Sequence, residues 1–217
     1  MKKRSGDMGR FFCAFFVLIG ITLLGTTSAV IAADESPAKA GPYIVGGVGL
    51  SDFNVSNSDL RTLNTGLLNL GFNSAFSSTD NTGVYLKGHG GYNVSKHFAV
   101  EGGFTSLGQL EVNTILTGPV ETLTTTADVY GFEASGLGKI KIGNSFAYLR
   151  LGLIAWSADI TASSSLGSAS FNQSGTDPTV GIGWQFGKQK GVRVEYQYYP
   201  IGDAEIQTVH LSGVYSF

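Results

Sequence analysis

The chain has 217 residues, a formal net charge of −2, one cysteine, 31 glycines and 5 prolines. The single cysteine excludes a disulfide scaffold, and the slightly acidic balance predicts no nucleic-acid partner. The length suits one domain, and after residue 33 no stretch approaches the ~20 apolar residues of a membrane-spanning helix.

The first 33 residues have the three parts of a secretory signal peptide. Basic residues are concentrated in 1–10, an uncharged apolar run occupies 11–24, and small residues follow up to Ala33. We expect cleavage after Ala33, or after Ala32, so that residues 34–217 form the mature domain of an exported chain. A membrane anchor is the alternative, but the apolar run is short for a span. Taking four basic and one acidic leader residues from totals of 14 and 16 leaves 10 against 15.

Alternating apolar and polar residues predict eight β-strands in the mature chain. The expected ranges are 42–53, 83–92, 98–107, 128–140, 146–160, 177–186, 192–199 and 206–217. Most lie near the ~9–11 residues that a tilted strand needs to cross a bilayer. The pattern predicts an all-β fold, namely a transmembrane, antiparallel, up-and-down β-barrel of eight strands with a polar interior.

The connections between these strands alternate between long and short. The long polar loops are 54–82, 108–127 and 161–176, the tight turns are 93–97, 141–145 and 187–191, and 200–205 is a short loop. Short turns of such barrels face the periplasm, which places both termini on that side. In the first loop, leucines at helical spacing behind Ser58 predict a short amphipathic helix, which either packs over the barrel mouth or binds a partner. These leucines are Leu60, Leu63, Leu67 and Leu70.

Charged residues share a strand face with small neighbours, and this decides which face points inward. A charge at mid-membrane on the lipid face costs ~2–4 kcal/mol, whereas opposite charges can pair inside a narrow barrel. We therefore predict a charge network in the lumen. Its members are Lys87, Glu101, Glu133, Arg150, Arg193 and Glu195. The alternative, a water-soluble ligand-binding barrel, would need a larger apolar interior.

Aromatic residues near the strand ends predict two interfacial girdles. The inner girdle comprises Tyr92, Phe98, Phe146, Phe186, Tyr215 and Phe217. The outer girdle comprises Tyr85, Phe104, Tyr130 and Trp156.

No arrangement typical of a catalytic, cofactor or metal site is found in the sequence. His97 falls in a predicted turn, while His89 and His210 point inward among charges without metal-ligand spacing. The pair His210 and Ser212 weakly resembles the His/Ser arrangement of outer-membrane enzymes that act on lipids. The glycine clusters do not lie between a strand and a helix, so no phosphate loop is expected.

Several motifs resemble the transmembrane domain of outer membrane protein A of Gram-negative bacteria and its small relatives. Residues 88–109, GHGGYNVSKHFAVEGGFTSLGQ, resemble a hairpin of that family. Residues 138–156 resemble its fourth and fifth strands, and 176–187 and 192–199 its sixth and seventh. Residues 60–71 are similar to a loop helix of small members.

This resemblance implies a monomeric barrel with a salt-bridged core, and roles in envelope integrity, adhesion, or weak or gated pore activity. Because the chain stops at Phe217, we do not expect the peptidoglycan-binding domain of full-length members. Expected partners are outer-membrane lipid, lipopolysaccharide and a surface partner at loops 54–82 and 108–127. The barrel-assembly machinery is expected to bind the C-terminal strand through Leu211, Tyr215 and Phe217.

Two functions remain open at this point. In the first, the barrel is a structural platform whose loops contact other surfaces. In the second, it is a narrow, low-conductance channel for small solutes. An eight-stranded barrel is just filled by its own side chains, which favours the platform.

Overall fold

The computed structural model describes residues 40–54, 65, 74–117, 121–165, 167–187, 189–202 and 204–217. The strands are β1 (Gly41–Asn54), β2 (Ser74–Asp80), β3 (Thr82–Asn93), β4 (Phe98–Thr117), β5 (Glu121–Ile142), β6 (Ser145–Ser164), β7 (Gly167–Phe186), β8 (Lys190–Ile201) and β9 (Ala204–Ser216). The predicted signal peptide lies outside the described residues.

Eight of the strands form a closed ring, which confirms the predicted barrel. β1 pairs with β3, each strand from β3 to β9 pairs with the next, and β9 returns to pair with β1. All of these pairings are antiparallel. The ring therefore satisfies its backbone hydrogen bonds internally, as a membrane-spanning structure must.

The two faces of each strand divide as the alternation predicts. Val48 and its register partner Leu211 are 62% and 58% exposed on the outer surface. Leu149, Leu151 and Leu153 also point outward, whereas the intervening Arg150 is fully buried. The exterior is thus an apolar band, and the polar residues of the strands point into the lumen.

Two of the predicted long loops are wrong, because most of their residues are strand. β4 and β5 stay paired up to Leu116 and Glu121, and β6 and β7 up to Ser164 and Gly167. Connections of only three residues (118–120) and two residues (165–166) remain. These segments are rich in Thr, Ser and Gly, so they lack the contrast between apolar and polar positions that marks a membrane strand. Thr nevertheless favours β structure.

The first predicted loop also contains an unpredicted strand, β2, which pairs with β4 outside the ring. The predicted loop helix falls outside the described residues except for Thr65, which is helical. In the described part of the chain, no helix is long and apolar enough to cross a membrane.

The predicted girdles need three corrections. Tyr85, Trp156 and Phe146 point into the lumen and are buried. Each lies on the same strand face as charged or polar lumen residues, so the two-residue period decides their direction and their position near a strand end does not. The other girdle residues point outward, as predicted.

Candidate functional site

Ionised side chains from five strands meet in the centre of the lumen. Lys87 comes from β3, Glu101 from β4, Glu133 from β5, Arg150 from β6, and Arg193 and Glu195 from β8. All six are at most 4% exposed. The set contains three positive and three negative groups, so its formal charge balances.

Arg150 is the centre of this network. Its Nη2 donates to Glu101 Oε2 at 2.5 Å, its Nη1 lies 3.4 Å from Glu133 Oε1, and its Nε donates to Glu195. Nη1 also donates to Ser135 Oγ at 2.5 Å. The planar guanidinium suits this role because its five N–H groups can reach several acceptors at once.

The other two cations of the network, Arg193 and Lys87, make further contacts with its carboxylates. Arg193 donates to Glu101 and, at 2.8 Å, to Gln185, and its guanidinium lies 5.3 Å from the ring centroids of both Tyr43 and Tyr148. Lys87 Nζ lies 3.3 Å from Glu195 Oε2. Buried ions are tolerated only when each is paired and hydrogen-bonded, and every member of this set has such a partner.

Tyrosine and glutamine side chains complete the carboxylate contacts, and the sequence analysis did not identify them. Tyr43 donates to Glu101 at 2.8 Å and Tyr148 to Glu195 at 2.9 Å. Gln197 and Tyr199 donate to Glu133 at 2.8 and 3.1 Å. Tyr148 on β6 and Gln197 and Tyr199 on β8 alternate in step with the charged residues of their strands, so period-2 spacing could have indicated them. β1 has no charged lumen residue, so Tyr43 had no such signal.

Glycines in the wall make room for these rings. Gly91 is the register partner of Tyr43, and Gly183 is that of Tyr148. A Cβ on Gly91 would lie 2.7 Å from Tyr43 Oη, and one on Gly183 would lie 2.9 Å from Tyr148 Cε1. Both approaches are closer than packed atoms permit. These two glycines therefore serve the packing of the lumen.

The charge network lies between two apolar layers. On the side of the short turns, Tyr43, Val45, Ala99, Leu137, Tyr148 and Val214 form one cluster. On the opposite side, a larger cluster comprises Phe53, Tyr85, Leu107, Val129, Ile154, Trp156, Ala158, Tyr199, Ile201 and Ile206. The interior is therefore polar at its centre, as predicted, with an apolar cluster on each side.

The histidines are positioned by the same network. His210 Nε2 lies 3.2 Å from Glu195 Oε2, and its ring stacks on Tyr85 at 4.4 Å. His89 Nε2 lies 2.9 Å from Thr105 Oγ1. Ser212 Oγ is buried and is not hydrogen-bonded to His210. The nucleophile–base contact that an acyl-transfer site needs is thus not formed by this pair.

Beyond the ring, the outer parts of β4 to β7 continue the same sheet and β2 joins it at β4; this extension is here called the projecting sheet. It consists of 74–80 of β2, 108–117 of β4, 121–129 of β5, 157–164 of β6 and 167–176 of β7. A β-bulge between Ser106 and Gly108 marks where β4 enters it, and Gly108 has φ 90°. β3 and β8 do not accompany these strands, because β3 pairs with β4 only up to Ser106 and β8 with β7 only up to Val180.

A row of polar residues on the outer face marks the base of the projecting sheet. Gln109, Asp128, Asp159 and Asn172 are successive register partners across four strands. Asn172 donates to Asp159 at 2.6 Å, and Tyr130 donates to the same carboxylate at 3.0 Å. Carboxylates are unfavourable in hydrocarbon, so the lipid-facing band ends at or below this row.

The three residues of the C-terminal strand that were predicted to bind the barrel-assembly machinery lie on the outer surface of the barrel. Leu211, Tyr215 and Phe217 are all exposed. The rings of Tyr215 and Phe217 meet edge-on at 5.1 Å, and the Phe217 N–H donates to the Pro42 carbonyl at 3.1 Å. The last residue is therefore tied to the first strand.

A closed antiparallel ring with an apolar exterior and ions sealed inside defines a membrane β-barrel protein. The profile of the outer membrane protein beta-barrel domain matches residues 19–217. The chain therefore belongs to this outer-membrane barrel family.

Comparison with solved structures finds similar chains at low sequence identity. Neisserial surface protein A is 12% identical, with a TM-score of 0.50 over 82% of this chain and 97% of its own. Ail of Yersinia pestis is 16% identical, with a TM-score of 0.47 over 82% and 99%. The N-terminal barrel of Pseudomonas aeruginosa OprF is 12% identical, with a TM-score of 0.45 over 82% and 100%. No curated protein sequence matches the chain.

Proposed function

We propose that the protein is a structural platform of the outer membrane whose projecting sheet contacts other macromolecules at the cell surface. The observation that carries this proposal is the size of the projecting sheet. Its residues are not needed to close the ring, since β3 and β8 complete the ring without extending into it. The sheet is rich in Ser and Thr and also carries carboxylates such as Asp80, Glu111 and Asp159, and these polar groups suit contact with another surface.

The proposal includes the remaining expectations about place and partners. A signal peptide over residues 1–33 directs export, and the domain 34–217 inserts as a monomer with its short turns toward the periplasm. The apolar band contacts lipid, and the polar row at Asp128 and Asp159 lies at the level of the lipopolysaccharide headgroups. The barrel-assembly machinery binds the strand that carries Leu211, Tyr215 and Phe217. No catalytic step is part of the proposal.

The surface partner is proposed to bind the hairpins rather than flexible loops. The predicted contact regions 54–82 and 108–127 contain β2 and the outer parts of β4 and β5. A partner would therefore meet an ordered sheet, which needs less ordering on binding than a loop does.

The test compares the full chain with a trimmed barrel in which Asn-Gly replaces 110–127 and a second Asn-Gly replaces 160–171. Gln109 pairs with Asp128 and Asp159 with Asn172, so each replacement leaves a two-residue hairpin turn. A non-adherent Gram-negative strain producing the full chain should attach to epithelial monolayers several-fold better than one producing the trimmed barrel. Equal attachment at equal surface levels would overturn the proposal.

The channel is the weaker alternative. Three features of the lumen work against it: the balanced ions are paired, glycines bring the rings close, and an apolar layer lies on each side. Filling by side chains is typical of barrels of this size.

A further inference from the structure

The charged residues outside the lumen network are sorted between the two ends of the barrel. In the described part of the chain, the remaining acidic residues lie toward the outer end, at Asp52, Asp80, Glu111, Glu121, Asp128, Asp159, Asp177 and Glu205. The remaining lysines lie at the end with the short turns, namely Lys96, Lys139, Lys141 and Lys190. The short-turn end is therefore positively charged and attracts anions.

Lys139 differs from the other three lysines of this end because it is buried and they are exposed. It lies on the lumen-facing side of β5, is 8% exposed, and donates from Nζ to Asn93 Oδ1 at 2.5 Å. No carboxylate of the described residues pairs with it, so the buried ions comprise four cations and three carboxylates. Burying a charge without a counter-ion is costly, so this position favours a bound anion.

Further N–H donors lie near Lys139. Tyr148 is its register partner on β6, and the Arg193 guanidinium lies 5.3 Å from the centroid of the Tyr148 ring. Arg193 uses Nε and Nη1 within the lumen, so Nη2 has no partner among the described residues. Asn93 accepts from Lys139 with its oxygen and keeps its two N–H groups. Ammonium, guanidinium and amide N–H groups are the donors that bind phosphate oxygens.

We propose that the short-turn mouth of the lumen is an anion site that takes one phosphate group, held by Lys139 together with Arg193 and Asn93. The apolar cluster that contains Leu137 and Tyr148 closes the lumen behind this site, so the anion enters from the short turns and stops there. A phosphate group suits the site better than a carboxylate, because its oxygens point in several directions and can meet donors from three strands. The proposal is independent of the proposed function.

A barrel that spans the outer membrane has two sources of a phosphate group at this end, namely soluble phosphate and the headgroups of the surrounding phospholipid. Two exposed lysines link the site to either source. Lys141 follows Lys139 on the same face of β5, at the rim of the lumen. Lys190 is the register partner of Tyr215 and shares its lipid-facing side of the sheet.

The test is phosphorus NMR on the chain refolded in dodecyl maltoside, a detergent without phosphorus. Inorganic phosphate and dihexanoyl phosphatidylglycerol are titrated separately, and a saturable change of the probe signal reports binding. Lys139→Gln removes the charge, whereas Asn93→Asp keeps it and supplies a carboxylate beside Nζ. Lys96→Gln is the matched control, since it removes the same charge from an exposed turn at the same end. The difference in mobility between unheated and boiled samples verifies that each variant is folded.

We expect one phosphate group per natural chain, and binding weaker by about tenfold or more in Lys139→Gln and in Asn93→Asp, because each change removes the uncompensated charge. Lys96→Gln should bind as the natural chain does. Binding of phosphatidylglycerol identifies lipid as the source, and binding of inorganic phosphate alone identifies soluble phosphate. Absence of saturable binding for both probes, or an equal loss in Lys96→Gln and Lys139→Gln, would overturn the proposal.

Discussion

Arg150 holds carboxylates from three other strands with one guanidinium. The charges in this arrangement balance. Because the site is buried, however, water cannot stabilise the remaining charges if one member is removed. A buried ion pair contributes little net stability compared with apolar packing, yet its disruption is expensive because the remaining ions stay buried. Arg150 therefore acts mainly by specifying a single arrangement of the lumen side chains.

We predict that Arg150→Ala destabilises the barrel by about 3–5 kcal/mol, since it leaves Glu101, Glu133 and Glu195 short of a partner. Urea unfolding in phospholipid vesicles measures the change. Lys96→Ala, in the exposed turn before β4, is the control and should change stability by less than about 0.5 kcal/mol. Equal midpoints for the two variants would contradict this account of the lumen.

Two adjacent glycines allow a test of lumen packing. Gly91→Ala should destabilise by about 1–3 kcal/mol, because its Cβ displaces the Tyr43 ring and with it the bond to Glu101. Gly90→Ala points to lipid, where a Cβ meets nothing within 4 Å, and should be nearly neutral. Both are measured by unfolding in vesicles, and a larger effect at Gly90 would refute the assigned faces.

At the scale of elements, the strands inside the membrane could be predicted because lipid and lumen impose opposite chemistry on alternate residues. The extensions of β4 to β7 could not, since both of their faces meet water or other polar groups and no alternation is required. Tyr85 and Trp156 show the same limit. Their aromatic character suggests an interface, while only their place in the two-residue period reveals that they fill the lumen.

The trimmed barrel tests whether the ring folds without the projecting sheet. Because the projecting sheet adds no pairing to the ring, trimming should leave folding intact. The trimmed barrel should still run faster unheated than boiled on a detergent gel, as expected for the full chain. Loss of this mobility difference, with protein present in the membrane fraction, would mean that the hairpins are part of the folding unit.

The last strand gives a second prediction. Phe217 is 70% exposed and its ring packs edge-on against Tyr215, so it contributes little to the finished barrel. We expect Phe217→Ser to lower the amount assembled in the outer membrane of cells several-fold while leaving refolding into vesicles unchanged. Phe186→Ser, also exposed near the short turns, is the control and should not affect assembly. Equal losses in both variants would argue against a terminal signal.

At the scale of the whole molecule, buried side chains occupy the barrel interior at its centre and toward both ends. Its centre is filled by paired ions and its two ends by apolar clusters. An interior filled in this way makes the barrel a rigid support for the projecting sheet.

We therefore predict that the purified, refolded chain shows no steady single-channel openings in a planar bilayer. A larger porin under the same conditions is the positive control, and detergent alone is the negative one. Steady openings of uniform size would favour the channel over the platform.

The pairing of β1 with β9 has a consequence for biogenesis. β1 has β3 as one neighbour, but its other neighbour, β9, is the last strand to be synthesised, so the ring cannot close before synthesis is complete. Until then the facing edges of β1 and β9 expose unpaired backbone amides beside apolar side chains, a state that favours aggregation in water. Closure of the ring by β1 and β9 is therefore the last step of barrel assembly.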